Sequence, residues 1–413
     1  MPSPALLSRA WLVVGLLWFV GLLNYLDRVM LTTMRGSLVE AIPMTDAQFG
    51  LLTSVFLWVY AALSPFAGFL ADRFSRTKVI VFSLLSWSTV TWLTGFATTY
   101  GELLLTRALM GVTEACYIPA ALALITEYHR GDTRSKAEGI HVSGVMLGSG
   151  LGGLGGWVAE HYGWSHAFTV FGLVGIGYTV IVAMFMRDAP REIASSESVT
   201  KLPGIKFGAA MASLFSSSAF ILALVYWGLL GLASWAVLGW MPTYMNETFN
   251  LSQGAAGLSA TGYLQASMLV GVIVGGVWSD RWYRKNQNAR IYVPLIGLCL
   301  AVPSMLLAVN TPLLGVAIAG LVGYGFTRAF VDSNMMPILC MVTDARYRAT
   351  GYGVLNLFAT GIGGGAIYLG GALRDANVSL DKVFMFASFG LLAGAALLFG
   401  IRVKLKGVSE THS

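Results

Sequence analysis

Apolar segments long enough to cross a membrane recur along the whole chain. A helix needs about 20 apolar residues to span the bilayer, and breaks rich in charge, Pro or Gly separate twelve such runs. They are residues 9–34, 47–71, 78–97, 101–127, 137–158, 164–187, 218–245, 253–278, 290–309, 313–340, 349–371 and 383–401. Only 11% of the 413 residues are charged and the mean hydropathy is +0.70, whereas soluble domains carry roughly 25% charge. The sequence predicts an all-α membrane protein with twelve transmembrane helices.

Polar breaks and basic residues predict the organisation of these helices. The longest break, Arg187 to about Ser216, gives a six-helix bundle at 1–188, a linker at 189–216 and a second bundle at 217–413. A cytoplasmic N-terminus places 20 of the 26 Lys and Arg residues in cytoplasmic segments, and only Arg35, Arg374 and Lys382 outside. Cytoplasmic loops are the Lys- and Arg-rich ones. We therefore expect both termini in the cytoplasm and a plasma membrane location, the inner membrane in a bacterium.

One motif occurs in both predicted bundles. GFLADRFSR and GVWSDRWYRK share the pattern G-x-x-x-D-R-x-x-R, and their first glycines, at 68 and 276, are 208 residues apart. A repeat of half the chain indicates two pseudo-symmetric bundles with a substrate path between them. The candidate gating residues are Gly68, Asp72, Arg73, Arg76, Gly276, Asp280, Arg281 and Arg284.

Twelve spans, the six-plus-six division and this duplicated motif resemble the major facilitator superfamily over nearly the full chain. The first copy departs from the family pattern at Ser75 and Thr77, where Gly and a base are usual. The resemblance implies that Asp72 and Arg73 belong to a cytoplasmic charge network that holds the outward-open state. Asp280 and Arg281 then form the corresponding charge network of the second bundle. As an alternative, the arginines are topology anchors, which does not explain the repeated Gly and Asp.

Away from the ends of the predicted spans, six charged residues lie inside them, where a charge costs about 2.5–3.5 kcal/mol on insertion scales. They are Asp27, Arg28, Arg107, Glu114, Arg328 and Asp332. Spacings of seven and four residues put Arg107 with Glu114, and Arg328 with Asp332, on one helix face. Such residues need a partner or a cavity. In the resembled family the first and fourth spans, here 9–34 and 101–127, line the central cavity. Asp27, Arg28, Arg107 and Glu114 can therefore form one buried network.

The sequences NYLDR at 24–28 and RALMGVTEA at 107–115 narrow the resemblance to the anion:cation symporter branch, which transports sugar acids and other organic anions. Spinster-like transporters, linked to lysolipids, share much of this pattern. The resemblance implies that Asp27 and Glu114 carry protons and that Arg28 meets the substrate carboxylate.

The side-chain chemistry is consistent with those roles. A buried carboxyl beside a guanidinium can exchange a proton, whereas Arg stays charged and its planar fork suits an oxyanion. Protonation of Asp27 or Glu114 would release an Arg for the anion. The alternative is a static salt bridge between helices 1 and 4. Arg328 and Asp332 are either a self-neutralised structural pair or a second contact for the anion.

Four uncharged residues complete the candidate substrate site. Tyr25 and Tyr117 lie near the charged set, Trp235 is a cavity or interfacial residue, and Asn356 is a cavity or helix-packing residue. The glycine run GSGLGGLGG at 148–156 contains the G-x-G-x-x-G spacing of dinucleotide sites, but no βαβ unit surrounds it. It therefore predicts close packing between helices.

Several function classes are disfavoured. No Walker A pattern, metal-ligand spacing or nucleophile–base set stands out, so we expect no cofactor, no metal and no enzyme activity. The net charge of +6 lies in short loops and does not suggest nucleic acid. We expect a monomer whose partners are the lipid bilayer, protons and a small anionic substrate. The leading function is proton-coupled symport of a small organic anion, and the alternative is spinster-like lipid or lysolipid transport.

Overall fold

The computed structural model describes residues 4–129, 133–190 and 207–410, and within these ranges the regular structure is helical. The helices of the first part are α1 (Pro4–Thr33), α2 (Arg35–Ala41), α3 (Asp46–Arg73), α4 (Arg76–Thr94), α5 (Tyr100–Glu114), α6 (Tyr117–Tyr128), α7 (Arg134–Leu151), α8 (Gly153–Tyr162) and α9 (Trp164–Phe185). Those of the second part are α10 (Phe207–Ser216), α11 (Ser218–Phe249), α12 (Gln253–Tyr283), α13 (Ala289–Val309), α14 (Leu314–Asp332), α15 (Met335–Val342), α16 (Arg348–Asp375) and α17 (Leu380–Glu410), with a 3-10 turn at Ala345–Tyr347. The prediction of an all-α membrane protein is confirmed.

Eleven segments of the described chain are long and apolar enough to cross a membrane. The third predicted span, residues 78–97, corresponds to α4, which is helical but is not among the eleven. The reason is compositional, because Arg76 and Lys78 lie in the first turn and Ser and Thr recur along α4, and both lower its hydropathy. Several of these polar residues, including Ser83, Ser88 and Thr91, are buried against other helices.

The chain forms two compact units, each of which takes a short segment from the other half of the sequence. Unit 1 contains Met1–Met44, Val55–Gly204 and Ser252–Leu258. Unit 2 contains Thr45–Ser54, Ile205–Leu251 and Ser259–Ser413. The domain boundaries predicted from the sequence stay a prediction, and residues 191–206 of the predicted linker lie outside the described residues.

The two short segments, residues 45–54 in unit 2 and 252–258 in unit 1, each contain the start of a helix that donates to a carboxylate of its unit. In unit 2, the Asp375 carboxylate accepts the backbone N–H groups of Asp46 and Ala47 at the start of α3, each at 2.9 Å. In unit 1, the Glu160 carboxylate accepts the N–H of Gly254 near the start of α12, at 2.8 Å. The first turn of a helix has N–H groups without an intrahelical partner, and a nearby anion also favours its dipole. Each carboxylate therefore stabilises a helix start far away in sequence.

Close approach of α1 and α7 explains part of the glycine run. A Cβ atom at Gly144 or Gly148 would collide with the backbone oxygens of Trp18 and Leu22 on α1. Small residues allow such contact between membrane helices. These are contacts within unit 1, and they agree with a packing role for the glycines.

We expect Gly148→Ala to destabilise the protein by about 1–3 kcal/mol, the usual effect of an overpacked contact. Thermal unfolding in detergent measures this change. Gly139→Ala is the matched control on α7, because a Cβ there meets no atom within 4 Å. It should leave the unfolding temperature unchanged or raise it, since Ala favours a helix over Gly. Equal unfolding temperatures for the two variants would contradict the packing role.

Two spans are interrupted in the same way. After Glu114, the last residue of α5, Ala115 and Cys116 form a turn before α6 begins. After Asp332, the last residue of α14, a two-residue turn precedes α15. The third residue of α6 is Pro119 and that of α15 is Pro337. Because Pro has no N–H to continue the hydrogen-bond ladder, each break has a local cause in the sequence.

Candidate functional site

The Glu114 carboxylate is the centre of a buried polar cluster in unit 1. Its Oε2 atom accepts hydrogen bonds from the Arg28 Nε at 2.7 Å and from the Asn24 Nδ2 at 2.9 Å. Glu114 is fully buried and Arg28 is 4% exposed. Removing one partner of such a buried ion pair strongly destabilises the protein, because the other charge is left buried without compensation. The structure therefore brings together the acid of α5 and the base of α1 that the sequence singled out.

Aromatic rings surround the Arg28 guanidinium. Its central carbon lies 4.7 Å from the ring centre of Tyr25, 5.1 Å from that of Phe56 and 4.4 Å from that of Tyr60. Cation–π contacts stabilise a charge that is removed from water. The Nη2 atom of Arg28 is buried and has no hydrogen-bond partner among the described residues. A guanidinium with a spare donor can bind an oxyanion in addition to Glu114.

Asp27 and Arg107 lie beside this pair. The Asp27 Oδ2 atom accepts a hydrogen bond from the Thr91 hydroxyl at 3.2 Å, and Asp27 lies within electrostatic range of Glu114 and Arg107. Arg107 is fully buried, packs over Phe56 at 4.9 Å and contacts the sulfur of Met110 at 2.9 Å. All four predicted charges of unit 1 thus lie in one buried region, although the ion pair joins Glu114 to Arg28.

Tyr117 has a different environment from Tyr25. Its hydroxyl donates to the Leu17 carbonyl at 2.9 Å and therefore accepts from the His141 Nε2, also at 2.9 Å. The turn after Glu114 separates Tyr117 from the regular spacing of α5. The Tyr117 hydroxyl thus has two hydrogen-bond partners within the protein. That Tyr117 binds substrate stays a prediction.

The remaining predicted site residues lie in unit 2. Arg328 Nη1 donates to the Asp332 carboxylate at 2.6 Å. Trp235 packs against Gly363 of α16, where a Cβ would collide with the indole ring. Asn356 is half-buried on the same helix. Their roles in substrate binding stay predictions.

The two copies of the duplicated motif differ in their contacts. The Gly68 and Asp72 side chains lie outside what the structure describes. Arg76 forms an ion pair with Glu127 at 3.1 Å, while Arg73 is exposed. In the second copy, Asp280 is exposed and lies 3.9 Å from Arg290. Three further residues of the second copy are on or near its surface: Gly276, Arg281 and Arg284.

Asp188 holds the start of α4 near the first copy of the motif. Its carboxylate accepts the Thr77 N–H at 2.8 Å. Partial burial raises the pKa of Asp188, but hydrogen bonds from Ser75 and Thr77 and the nearby Arg76 charge outweigh it and lower the pKa. The carboxyl therefore stays ionised at neutral pH and complements the helix start.

Sequence reasoning missed Asn24, Thr91 and Tyr60 as members of the cluster. Asn24 belongs to the NYLDR segment and lies three and four residues before Asp27 and Arg28, so its place one helical turn from two charges was a usable signal. Thr91 and Tyr60 lie on other helices in apolar surroundings, and no spacing rule connects them to Asp27 or Arg28. Their contribution depends on how the helices are rotated against each other.

Long apolar helices with buried, paired charges define a multi-pass membrane protein with a polar site inside its helical units. The chain belongs to the Major Facilitator Superfamily, whose family model matches residues 17–368. It is therefore a transporter of that superfamily.

Known proteins that resemble the chain agree with this assignment. It is 27% identical to the "Probable sulfoacetate transporter SauU" of Cupriavidus necator, over 93% of this chain and 92% of that protein. It is 26% identical to "Protein spinster homolog 1" of Xenopus tropicalis, over 72% of this chain and 59% of that protein. A crystal structure of a bacterial homologue of the human lysosomal transporter Spinster, inward-facing and unoccupied, has the same fold, with a TM-score of 0.76 and 21% identity over 100% of this chain and 98% of that one.

Proposed function

We propose that this transporter is a proton-coupled symporter of a small organic anion, such as a sugar acid or another carboxylate. The observation that carries the proposal is the buried Glu114 carboxylate, which holds the Arg28 guanidinium by a single 2.7 Å contact. In this proposal Arg28 binds the anion, and Glu114 and Asp27 load and release protons.

The coupling follows from competition for one guanidinium. While Glu114 is ionised it occupies the Nε of Arg28. Once Glu114 is protonated, its attraction for the guanidinium falls, and a substrate carboxylate or sulfonate can take its place. The proton and the anion therefore bind together and leave together. The similarity to a protein named as a sulfoacetate transporter supports a small acidic substrate.

The other residues have subsidiary roles in this proposal. Arg107 adds positive charge near Asp27 and Glu114, and the two copies of the duplicated motif act as cytoplasmic gates. Both termini are cytoplasmic in a plasma membrane, and the transporter works as a monomer. A spinster-like lipid or lysolipid transporter is the second candidate, favoured by the 26% identity to a spinster homologue.

Uptake into proteoliposomes with an imposed pH gradient tests the proposal. We expect sulfoacetate or a sugar acid to accumulate when the outside is acidic, and accumulation to stop when a protonophore collapses the gradient. The panel should include simple carboxylates and lysolipids, with empty liposomes as the control. Transport of a lysolipid but of no small anion would contradict the proposal and favour the second candidate.

A further inference from the structure

The two oxygens of the Glu114 carboxylate have different surroundings. Oε2 accepts hydrogen bonds from the Arg28 Nε at 2.7 Å and from the Asn24 Nδ2 at 2.9 Å. Oε1 is buried and has no hydrogen-bond partner among the described residues. Because both donors are on Oε2, the lone pairs of Oε1 are the ones left for an incoming proton. A proton taken up by Glu114 is therefore expected at Oε1.

The Asn24 amide has the complementary arrangement. Its Nδ2 donates to Glu114, while its Oδ1 is buried and has no partner in the described part of the chain. Only the NH2 end of an amide donates to a carboxylate, so chemistry decides which end of the Asn24 side chain faces Oε2. Asn24 and Glu114 are both fully buried, and a buried hydroxyl of a protonated acid needs an acceptor.

Protonation of Glu114 makes these two unpartnered atoms complementary. In the ionised state Oε1 and the Asn24 Oδ1 are both acceptors and cannot bond to each other. A proton on Oε1 turns that atom into a donor, for which Oδ1 is a suitable acceptor. The end groups of Asn and Glu turn about soft terminal torsions, and the 2.9 Å bond already holds them together. An amide and a carboxylic acid joined in this way form a ring closed by two hydrogen bonds.

Other ionisable groups surround Glu114, and one of them competes for the proton. Those within electrostatic range are Tyr25, Asp27, Arg28 and Arg107, and Tyr60 of α3 lies against the Arg28 guanidinium. Asp27 offers a second unpartnered acceptor, its Oδ1. It is the weaker candidate, because the hydrogen bond described for Asp27 comes from Thr91, whereas that of Asn24 goes to Glu114 itself.

We propose that Asn24 is a positioning residue that holds Glu114 in both of its protonation states. It donates through Nδ2 to the ionised carboxylate, and after proton uptake it also accepts the Oε1 hydroxyl through Oδ1. Uptake forms the O–H bond at Oε1, and release breaks that bond and returns the proton to water, while Asn24 exchanges none. The inference rests on the proposed proton coupling. It explains how the acid stays in place when Arg28 turns to the anion.

Infrared difference spectroscopy of the purified full-length protein, between alkaline and acidic pH, tests this pair. A carboxyl C=O band that appears on acidification and is absent from Glu114→Gln belongs to Glu114. We expect it at the low frequency of a carboxyl whose C=O accepts and whose O–H donates. Asn24→Leu removes both bonds at similar size and should shift the band to higher frequency. Thr91→Val is the matched control, because it removes a buried hydroxyl that donates to Asp27, and it should leave the Glu114 band in place.

The unaltered protein alone can contradict the proposal. A Glu114 band at the frequency of a free carboxyl would overturn the pair, whether or not Asn24→Leu folds. A band that keeps its frequency in folded Asn24→Leu would overturn it too. Both results would leave the proposed proton coupling intact, since Glu114 would still take up a proton. Absence of a Glu114 band at every pH at which the protein stays folded would instead overturn the coupling through Glu114, and the pair with it.

Discussion

Replacing Glu114 with glutamine is expected to abolish proton-driven accumulation of the anion while leaving counterflow partly intact. Glutamine keeps the size of the side chain, and its carbonyl can still accept from Asn24 and Arg28. It carries no charge and exchanges no proton, so substrate movement loses its link to the pH gradient. Exchange of internal for external substrate needs no net proton movement and should persist. Both quantities can be measured in the same proteoliposome preparation, with and without the gradient.

The control for this variant is Glu102→Gln on the same helix. Glu102 is exposed and caps the start of α5 together with Thr99, so its neutralisation should leave accumulation unchanged. If Glu114→Gln accumulated the anion normally, Glu114 would not be the coupling acid. If the variant failed to fold, a static salt bridge between α1 and α5 would be the better interpretation.

Replacing Arg28 with alanine is expected to remove most of the anion affinity. One charge-assisted hydrogen bond contributes about 1.5–3 kcal/mol, which corresponds to roughly 10- to 150-fold in the dissociation constant. The substitution also leaves Glu114 buried without its ion-pair partner, which destabilises by about 3–5 kcal/mol. Arg28→Ala combined with Glu114→Gln avoids that unpaired charge. Calorimetric titration of both variants with sulfoacetate measures the loss.

Arg134→Ala separates a local effect from a change in net charge. Arg134 is exposed and pairs with Glu138 one turn along α7 at 3.0 Å, and exposed pairs of this kind contribute little. Its removal should leave both affinity and unfolding temperature nearly unchanged. Undiminished affinity in the double variant at Arg28 and Glu114 would remove Arg28 from the substrate site.

The members of the charged cluster were predictable from the sequence, but their pairing was not. A charge in a membrane-spanning helix must find a partner, so Asp27, Arg28, Arg107 and Glu114 could be selected by residue type alone. The seven-residue spacing placed Arg107 on the face of Glu114, yet both hydrogen bonds described for the Glu114 carboxylate come from α1, from Arg28 and Asn24. The rotation of one helix against another decides such choices, and periodicity within one helix carries no information about it.

The helix breaks are a second feature that periodicity along the chain does not reveal. Continuous helical spacing places Tyr117 less than one turn beyond Glu114, beside the charges. After the turn at Ala115–Cys116, the Tyr117 hydroxyl contacts Leu17 and His141, while Tyr117 stays within electrostatic range of Arg28. Pro119 was the available signal, because a proline disrupts the helix one turn before it. Pro337 follows Asp332 at the same five-residue spacing at which Pro119 follows Glu114. The second helix break could therefore be predicted from the spacing of the residues alone.

The carboxylates at the starts of α3 and α12 have a consequence for biosynthesis. Asp46 and Gly254 are 208 residues apart, the same interval that separates the two copies of the glycine–aspartate–arginine motif at the other ends of these helices. The duplicated helices thus keep one register from end to end. The start of α3 obtains its carboxylate from Asp375, which the ribosome adds 329 residues later. The N-terminal repeat therefore leaves the ribosome before the acceptor of the Asp46 and Ala47 N–H groups exists. Until the C-terminal repeat has been made, the start of α3 has only its local cap, in which Thr45 and Gln48 accept each other's backbone N–H groups.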